Sequence, residues 1–234
     1  MTGLRDIRVI SFDLDDTLWA IDPVITRANR VLFAWLAARY PRITAGHTPQ
    51  SLHEVCLAFM HARPQAKHDL SALRIAFLRH LGQDAEYVDD FAEEAFEVFF
   101  AARNTVELFP EVEAALARLA RHYRLVALSN GNACIERIGL TRYFSASVNS
   151  AKAGAAKPDP AMFHAALAIL GESAQSMLHV GDHPEHDVLG AQRAGARAVW
   201  LNRHAADWPS HLVPPCAQVN DLQALVALLE LDEA

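Results

Sequence analysis

The sequence predicts an α/β fold, in which a parallel, doubly wound sheet carries an all-helical insertion after its first strand. Strand-like apolar runs alternate with helical periods over the second half of the chain, a pattern typical of parallel sheets. The region between the first apolar run and that half contains helical periods and almost nothing strand-like. We therefore expect one unit made of residues 1–18 and 106–234 and a helical insertion over residues 19–105.

The first strand is predicted over Ile7–Asp13, a short and mostly apolar run. The insertion is predicted to contain four helices, over Val24–Tyr40, Ser51–His61, Leu70–Leu81 and Glu86–Ala102. Pro23 suits a first helical turn, and Pro41 and Gly82 stand where helices are expected to end. The aromatic residues of the fourth helix recur every three to five positions, which indicates a core-facing stripe of Phe91, Phe96, Phe99 and Phe100.

The alternating half is predicted to contain four further strands, over Leu125–Leu128, Ala146–Val148, Met177–Val180 and Ala198–Leu201. Its predicted helices cover Glu111–Arg121, Pro160–Leu170, a segment that ends at Ala194, and Leu222–Leu231. Gly171 and Gly195 directly follow two of these helices, where glycine is the common terminating residue.

Composition limits the classes of function. The net charge is −7 and no basic cluster occurs, so a nucleic-acid partner is not expected. The three cysteines are odd in number and far apart, which predicts no disulfide framework and suits a reducing cytosol. No run approaches the roughly 18 apolar residues of a membrane span, and the first residues lack a signal-peptide pattern. We expect a cytoplasmic protein, a monomer or weak dimer, with a small-molecule partner.

Three carboxylates are crowded together directly after the first strand, at Asp13, Asp15 and Asp16. Side chains alternate along a strand, so Asp13 and Asp15 are expected to point the same way. Their repulsion is relieved by a divalent cation, or put to use by chemistry that needs a nucleophile beside an acid or base. The alternative is an acidic turn in which Asp16 and Thr17 cap a helix.

Other polar residues also follow strand-like runs or open the next helix: Ser129, Lys157 and Asp182. Ligands bind at the carboxyl ends of strands in open parallel sheets, so these residues and Asp13 are expected to converge. Asp13 and Asp182 offer oxygen ligands suited to Mg²⁺, and Lys157 offers a positive charge for a phosphoryl oxygen or the nucleophile.

Ser129 and the amides of the following turn, Asn130–Gly131–Asn132, are suited to donating hydrogen bonds to phosphate oxygens. Each of these residues also has a structural interpretation. Ser129–Asn130 could cap a helix, Lys157 could be a solvated loop lysine, and Asp187 could be an N-cap.

Together these motifs resemble those of the haloacid dehalogenase (HAD) superfamily, in its phosphatase branch. They are Asp13–Leu18, Leu128–Asn130, Lys157–Pro160, and Gly181–Asp182 with Asp187. All four stand in the family's order, and the resemblance covers nearly the whole chain. It implies a Rossmann-like core with an inserted helical cap of the first type.

The resemblance also implies roles. Asp13 would be the nucleophile that forms an aspartyl-phosphate, and Asp15 would protonate the leaving alcohol and later deprotonate water. Mg²⁺ would be held by the Asp13 side chain, the Asp15 carbonyl and Asp182. Lys157 would complete the catalytic set. Asp187 and Thr17 would support these residues from outside the metal's own ligand set.

Two other activities occur on folds of this type, and a third alternative is no activity. Haloacid dehalogenases resemble this chain but lack an acid two residues after the nucleophile, so Asp15 favours phosphate chemistry. Phosphonate-cleaving relatives use a cap lysine, and the insertion offers only Lys67, with no apolar surroundings evident. A non-catalytic metabolite-binding module would be expected to have lost a catalytic residue, whereas all are present.

Within the phosphatase branch, the chain resembles bacterial phosphatases that act on flavin mononucleotide (FMN) and on 5-amino-6-(5-phosphoribitylamino)uracil. The matching stretches are Phe12–Leu18, Pro23–Ile25, His68–Asp69 with Arg74, Asn130–Ala133 and His179–Asp182. His183 departs from the pattern, because those relatives often carry an acid there. His183 and His186 could suggest a transition-metal site, but surface or supporting roles suit them better.

The residues that contact the substrate are expected mainly in the insertion, since the core motifs handle only the phosphate. The candidates are Trp19, Asp22, His68 and Arg74, with Asn132 from the core. An aromatic ring could stack on a flavin or pyrimidine, and Arg74 could pair with a carboxylate or phosphate. Alternatively, Trp19 packs at a hinge and Arg74 forms a surface salt bridge. The expected substrate is FMN, the phosphoribityl pyrimidine or a sugar phosphate.

Overall fold

The computed structural model describes residue 4 and residues 6–229. The chain forms two compact units. The sheet unit comprises the chain up to Ala20, Glu107–Gly131 and the chain from Gly139 onward. The helical unit comprises Ile21–Val106 together with Asn132–Ile138. Among the described residues, no helix has both the length and the apolar character needed to cross a bilayer.

The sheet unit contains a six-stranded sheet in which every neighbouring pair is parallel. Its strands are β1 (Val9–Phe12), β2 (Arg124–Ser129), β3 (Phe144–Asn149), β4 (Met177–Gly181), β5 (Arg197–Leu201) and β6 (Ala217–Val219). Their order is β3-β2-β1-β4-β5-β6, so the winding changes direction between β1 and β4. The predicted doubly wound parallel sheet is confirmed. β6 was not predicted, because three residues with one buried side chain carry no strand signal.

β1 lies at the centre of the sheet, and all four of its side chains are buried. Val9 registers with Arg124 of β2 and with Met177 of β4. The strand ends at Phe12, one residue before the predicted end, although the Asp13 amide still donates to the Val180 carbonyl at 2.9 Å. A strand covered on both faces requires apolar residues at successive positions, which explains its nearly continuous apolar character.

The helices follow one another along the chain as α1 (Ile21–Arg39), α2 (Pro41–Thr44), α3 (Pro49–His61), α4 (Leu70–Asp84), α5 (Ala92–Arg103), α6 (Val112–Leu119), α7 (Ile135–Ile138), α8 (Ser150–Ala153), α9 (Pro160–Leu170), α10 (Gly190–Arg193) and α11 (Leu222–Leu228). A π-helical turn over Pro184–Leu189 leads into α10. α1 to α5 and α7 belong to the helical unit, and the others to the sheet unit.

Three predicted helix boundaries in the helical unit are wrong by three residues or more, the first being the start of α1, which lies at Ile21 instead of Val24. α4 passes through Gly82 and ends at Asp84, because Gly82 serves close packing and not termination. A Cβ atom at Gly82 would lie 2.9 Å from the Phe91 ring. α5 begins at Ala92 instead of Glu86, and Glu86 has a φ of 55°, outside the helical region. Of the predicted phenylalanine stripe, Phe91 and Phe99 are fully in the core.

Helix ends in the sheet unit follow the sequence signals more closely. α9 has the predicted bounds, with the Asp159 carboxylate accepting from the Ala161 amide and Gly171 at a φ of 63°. Gly195 has a φ of 79° and follows α10 as predicted, although the segment before it is divided into a π-helical turn and a short α-helix. The last predicted helix extended to Leu231, and its final two residues lie outside the described part of the chain.

Candidate active site

A cavity of about 160 Å³ lies at the carboxyl ends of β1, β2 and β4, within the sheet unit. It is lined by Asp13, Asp15, Asp16, Ser129, Asn130, Gly131, Lys157, Asp182, His183, His186 and Asp187. The structure therefore brings together polar residues that are up to 174 positions apart, from Asp13 to Asp187. This placement is expected, because the carboxyl ends of parallel strands lie at the same edge of the sheet and ligands bind there, at the point where the winding changes direction.

Lys157 is the electrostatic centre of the cavity. Its Nζ donates at 2.7 Å to Asp13 Oδ1, to Asp187 Oδ1 and to the Leu128 carbonyl. The lysine side chain is 1% exposed, so the interpretation as a solvated loop lysine is wrong. Burial opposes the charge on Lys157, but the two carboxylates outweigh it and hold the lysine pKa above its usual value.

The position of Lys157 is set by Asn130, which follows β2. The Asn130 side chain accepts from the Lys157 amide at 2.7 Å and donates to the Lys157 carbonyl at 2.9 Å. Ser150 donates to the Asn130 carbonyl at 3.0 Å and ties this loop to the start of α8. Asn130 therefore clamps the lysine backbone, a role that its predicted place among phosphate-binding residues did not include.

Asp187 is buried and fully engaged by hydrogen bonds. Its Oδ1 accepts from Lys157 and, at 3.1 Å, from His179 Nε2, while its Oδ2 accepts from the His183 amide at 2.9 Å. Burial raises the pKa of Asp187, but Lys157 and His179 outweigh it and hold this pKa well below its usual value. The residue is an ion-pair partner inside a π-helical turn, so its interpretation as an N-cap is wrong; His183 caps that turn instead.

A buried histidine extends this network into the sheet. His179 Nδ1 lies 2.9 Å from the Ser11 hydroxyl on β1. Because Asp187 only accepts, His179 Nε2 carries the proton, and the neutral ring accepts from Ser11 at Nδ1. Burial, as the largest effect, lowers the pKa of His179, which keeps the ring neutral. The sequence analysis gave neither residue a role in the site, although two polar side chains inside apolar strand runs were a usable signal.

Three carboxylates approach one another in a geometry suited to a cation. Oxygens of Asp13, Asp182 and Asp187 all lie within 4.8 Å of one another. Burial, followed by the charges of Asp187 and Asp16, raises the pKa of Asp182 to about 7. Burial likewise raises the pKa of Asp13, against the lowering effect of Lys157. A positive ion beside these two carboxyl groups would lower both pKa values and so favour their ionised forms.

The chain has clear relatives among characterised proteins. A model of the haloacid dehalogenase-like hydrolases matches residues 7–195. The chain belongs to this family. It is 30% identical to the 5-amino-6-(5-phospho-D-ribitylamino)uracil phosphatase YigB of Escherichia coli over 97% of this chain and 98% of that protein.

Other relatives differ in their described activities. A phosphoserine phosphatase of Thermus thermophilus is 39% identical over 52% of this chain and 51% of its own. A crystal structure of the 2-haloacid dehalogenase from Pseudomonas syringae pv. Tomato DC3000 superposes with a TM-score of 0.88 at 40% identity, over 96% of this chain and 98% of that one. The family and its phosphatase members confirm the prediction of a HAD-type phosphatase.

In this HAD hydrolase the segment after β1 turns sharply, and Asp16 has a φ of 58°. Asp15 accepts from the Trp19 indole N–H at 2.9 Å, and Trp19 itself is completely buried. Trp19 therefore has no exposed face for a substrate ring, and its contact with Asp15 favours the packing interpretation. Thr17 is also buried, with its hydroxyl 3.4 Å from Asp182 Oδ1.

Asp182 and the two histidines complete the sheet-unit side of the site. The Asp182 carbonyl accepts from the Trp200 indole N–H at 2.7 Å, which holds the loop after β4. The rings of His183 and His186 stack with centroids 3.9 Å apart, and His183 Nδ1 accepts two backbone N–H groups. In the described residues, neither histidine belongs to the cluster of acidic ligand atoms.

The remaining substrate candidates lie in the helical unit. His68 is partly buried just before α4, and Asp22 lies in the first turn of α1. Asn132 Nδ2 donates to the Ser71 hydroxyl at 3.2 Å. Arg74 is 7% exposed, so its interpretation as a surface salt-bridge residue is wrong.

Proposed function

We propose that the chain is a Mg²⁺-dependent phosphomonoester hydrolase that works through an aspartyl-phosphate on Asp13. The observation that carries the proposal is the contact of the Lys157 ammonium with Asp13 at 2.7 Å, beside the carboxylates of Asp182 and Asp187. It joins a nucleophile, a fixed positive charge and oxygen ligands in a single cavity. Phosphoryl transfer asks mainly for this positioning and neutralisation of charge.

Asp13 would attack with the carboxylate oxygen that does not bond to Lys157. A bond forms between this oxygen and phosphorus, and the bond from phosphorus to the alcohol oxygen of the substrate breaks. Lys157 holds the other oxygen and favours the ionised form of Asp13 that a nucleophile needs, against the opposing effect of burial. The Ser129 hydroxyl accepts from the Gly131 amide at 3.0 Å and can donate its own proton to a phosphate oxygen.

Asp15 is the proposed general acid and base. It would give a proton to the departing alcohol and then take one from the water that hydrolyses the aspartyl-phosphate, which returns both acids to their starting states. The Trp19 N–H donates to Asp15 Oδ1 at 2.9 Å and helps to fix the orientation of the carboxylate. Asp15 lines the same cavity as Asp13.

The residues fit Mg²⁺, which binds one or two carboxylates and retains several waters. Asp187 is occupied by Lys157, His179 and the His183 amide, so Asp13 and Asp182 are the side chains left to bind a cation, with the Asp15 carbonyl as the third proposed ligand. The ion would neutralise phosphate charge during transfer. Thr17 and Asp187 would orient Asp182 and Lys157.

For the substrate we propose a small phosphorylated metabolite, with the phosphoribityl pyrimidine, FMN and sugar phosphates as the first compounds to test. The near full-length similarity to the YigB phosphatase supports this class. We further propose that the helical unit is the cap that selects the alcohol part of the substrate, through residues such as His68 and Asn132. The protein would act in the cytoplasm as a monomer or weak dimer.

Haloacid dehalogenation is the second candidate function, favoured by the similarity to the 2-haloacid dehalogenase structure. Asp15 argues against it, since displacement of a halide needs no acid for the leaving group. The two activities release different products. Measuring phosphate from phosphomonoesters and halide from 2-haloacids with the same preparation would distinguish them.

The decisive variant is Asp13→Asn, which keeps the size of the side chain and removes the nucleophile. We expect phosphate release to fall at least 1000-fold, on the order of other losses of a nucleophile, with an unchanged circular dichroism spectrum. EDTA should abolish the wild-type activity, and added Mg²⁺ should restore it. Asp84→Asn, an acid-to-amide change on the exposed end of α4, is the control and should keep full activity. Substantial turnover by Asp13→Asn would refute the mechanism.

A further inference from the structure

A second small cavity lies inside the helical unit, between α1, α3 and α4. Its volume is about 10 Å³, close to the minimum for one water-sized occupant. Most of its wall is apolar, contributed by leucines and Phe77. The polar groups at its wall are Asn29, His53, Cys56 and Arg74.

Arg74 places a buried positive charge at this cavity. Its guanidinium stands 3.7 Å from the centre of the Phe99 ring, and Nη1 donates to Asn29 Oδ1 at 3.4 Å. Among the described residues no aspartate or glutamate pairs with it. Burial, as the largest effect, lowers the pKa of Arg74. A guanidinium nevertheless stays protonated in proteins, so no carboxylate in the described part of the chain neutralises its charge.

The neighbouring side chains do not supply the missing negative charge. Burial raises the pKa of the Cys56 thiol, which keeps it neutral. A second buried guanidinium, that of Arg103, adds positive charge near Arg74. The face of the Phe99 ring attracts a cation, but an aromatic quadrupole carries no net charge.

His53 offers a further donor at the same place. Its Nδ1 is buried and has no hydrogen-bond partner in the described structure. Burial, followed by Arg74, lowers the pKa of His53, so the ring is neutral and one ring nitrogen carries a proton. With the proton on Nδ1, the imidazole, the Arg74 guanidinium and the Asn29 amide all contribute N–H donors to the wall of this cavity.

We propose that this cavity binds a single-atom anion, chloride, between Arg74, His53 and Asn29. A water molecule would fill the volume but leave the guanidinium charge uncompensated, whereas an oxyanion is too large for the volume. Chloride is a single atom somewhat larger than water, so the side chains around the cavity must move apart slightly to admit it, but it carries the compensating charge and accepts several N–H donors. The site is separate from the proposed hydrolytic site and does not depend on the phosphatase assignment.

The test uses the full chain, exchanged into sodium gluconate and then titrated with sodium chloride at constant ionic strength. A ligand that binds only the native state raises the melting temperature with the logarithm of its concentration, here by about 3–6 °C for each tenfold excess over the dissociation constant. Bromide should act in the same way. In crystals soaked with sodium bromide, an anomalous peak should lie within hydrogen-bonding distance of the Arg74 guanidinium.

Arg74→Met removes the charge but keeps an apolar side chain of similar length. We expect this variant to melt no lower than the wild type in gluconate and to show no response to chloride. Arg74→Gln serves as a second variant should the first fold poorly. Arg79→Met is the matched control on the same helix, where an exposed arginine already pairs with Asp90 and Glu93, and it should keep the wild-type response.

Three outcomes would overturn the proposal. The first is a wild-type melting temperature that does not change between gluconate and chloride. The second is a chloride response that persists in Arg74→Met. The third is stabilisation by sulfate or formate with none by chloride or bromide, which would place an oxyanion there instead.

Discussion

At the scale of single residues, the most informative feature is that the buried charges of the sheet unit are paired. Lys157 donates hydrogen bonds to the carboxylates of Asp13 and Asp187 and to the Leu128 carbonyl. Burying an ammonium group without partners costs several kcal/mol of free energy, roughly, and ion pairs and hydrogen bonds offset that cost. Stability and catalysis should therefore depend on the same side chain.

The first prediction concerns Lys157→Met. The change leaves Asp13 and Asp187 buried without their shared cation, so we expect the free energy of unfolding to fall by about 3–5 kcal/mol and phosphate release to be lost. Denaturant titration measures the first effect and a phosphate assay the second. Lys152→Met, at an exposed position on α8, is the control and should stay within about 0.5 kcal/mol of the wild type. Equal effects of the two substitutions would contradict the assigned role of Lys157.

The second prediction concerns pH and the metal. Asp182 has a pKa of about 7 in the folded protein, and an unfolded aspartate has one near 4. The native state therefore binds the Asp182 proton more tightly than the unfolded state does. The stabilisation that comes from this difference is complete below about pH 4 and is lost as the pH rises towards about 7. On the proposed function, Mg²⁺ would compete with the same proton, and its stabilising effect should grow over this range.

Melting temperatures measured with EDTA and with Mg²⁺, at about pH 5 and about pH 8, check this prediction. The difference between the two curves should be larger at the higher pH. Asp182→Asn should remove most of that difference, because an amide neither titrates there nor attracts the ion as a carboxylate does. A magnesium effect of the same size at both values would show that Asp182 is not the titrating ligand.

At the scale of elements, the ends of the parallel strands decide which side chains meet. β4 ends in Gly181, and a Cβ atom there would lie 2.3 Å from Asp187 Cγ. The strand must therefore end in glycine for the π-helical turn to bring Asp187 back against it. The absent side chain is what allows Asp187 to reach Lys157 and His179.

The third prediction is that Gly181→Ala displaces Asp187. We expect kcat to fall more than 10-fold and the free energy of unfolding to fall by about 1–3 kcal/mol. Gly195→Ala is a useful comparison, because its Cβ atom would meet nothing closer than 3.6 Å while its φ of 79° strains any other residue. That variant should lose stability and keep its kcat, whereas a parallel loss of kcat would indicate a general effect of weakened folding.

At the scale of the whole molecule, the two units contain different kinds of chemistry. The sheet unit holds the cavity with the lysine and the carboxylates, and the helical unit holds the candidate residues for recognising the rest of the substrate. On the proposed function, the first unit should determine the reaction and the second the choice of substrate.

The fourth prediction follows from this division. His68→Ala and Asn132→Ala should raise the KM for a preferred metabolite by about 10-fold or more, and change turnover of a generic aryl phosphate by less than about threefold. Steady-state kinetics on both substrates measure the contrast. His80→Ala, an exposed histidine of α4, is the control. An equal loss on both substrates would mean that these residues act on catalysis itself.

The sequence alone was sufficient for the parallel sheet, because buried parallel strands need apolar runs and the connecting helices need caps such as Asp159 and Gly171. It was also sufficient to select Asp13, Lys157 and Asp182, since polar residues at the ends of apolar runs are conspicuous. It misplaced helix ends where a glycine serves packing, as at Gly82, because the partner Phe91 is a tertiary neighbour that local signals do not contain.

Only the tertiary structure decided which polar groups contact one another. That Lys157 touches Asp13 and Asp187, that Asn130 clamps its backbone, and that His179 joins Ser11 to Asp187 all depend on strands that are neighbours in space and far apart along the chain. The physical reason is that the apolar character of a strand, and so its burial, can be read from its own residues. The partner of a buried polar group comes from another element, which only the order of the strands in the sheet places beside it.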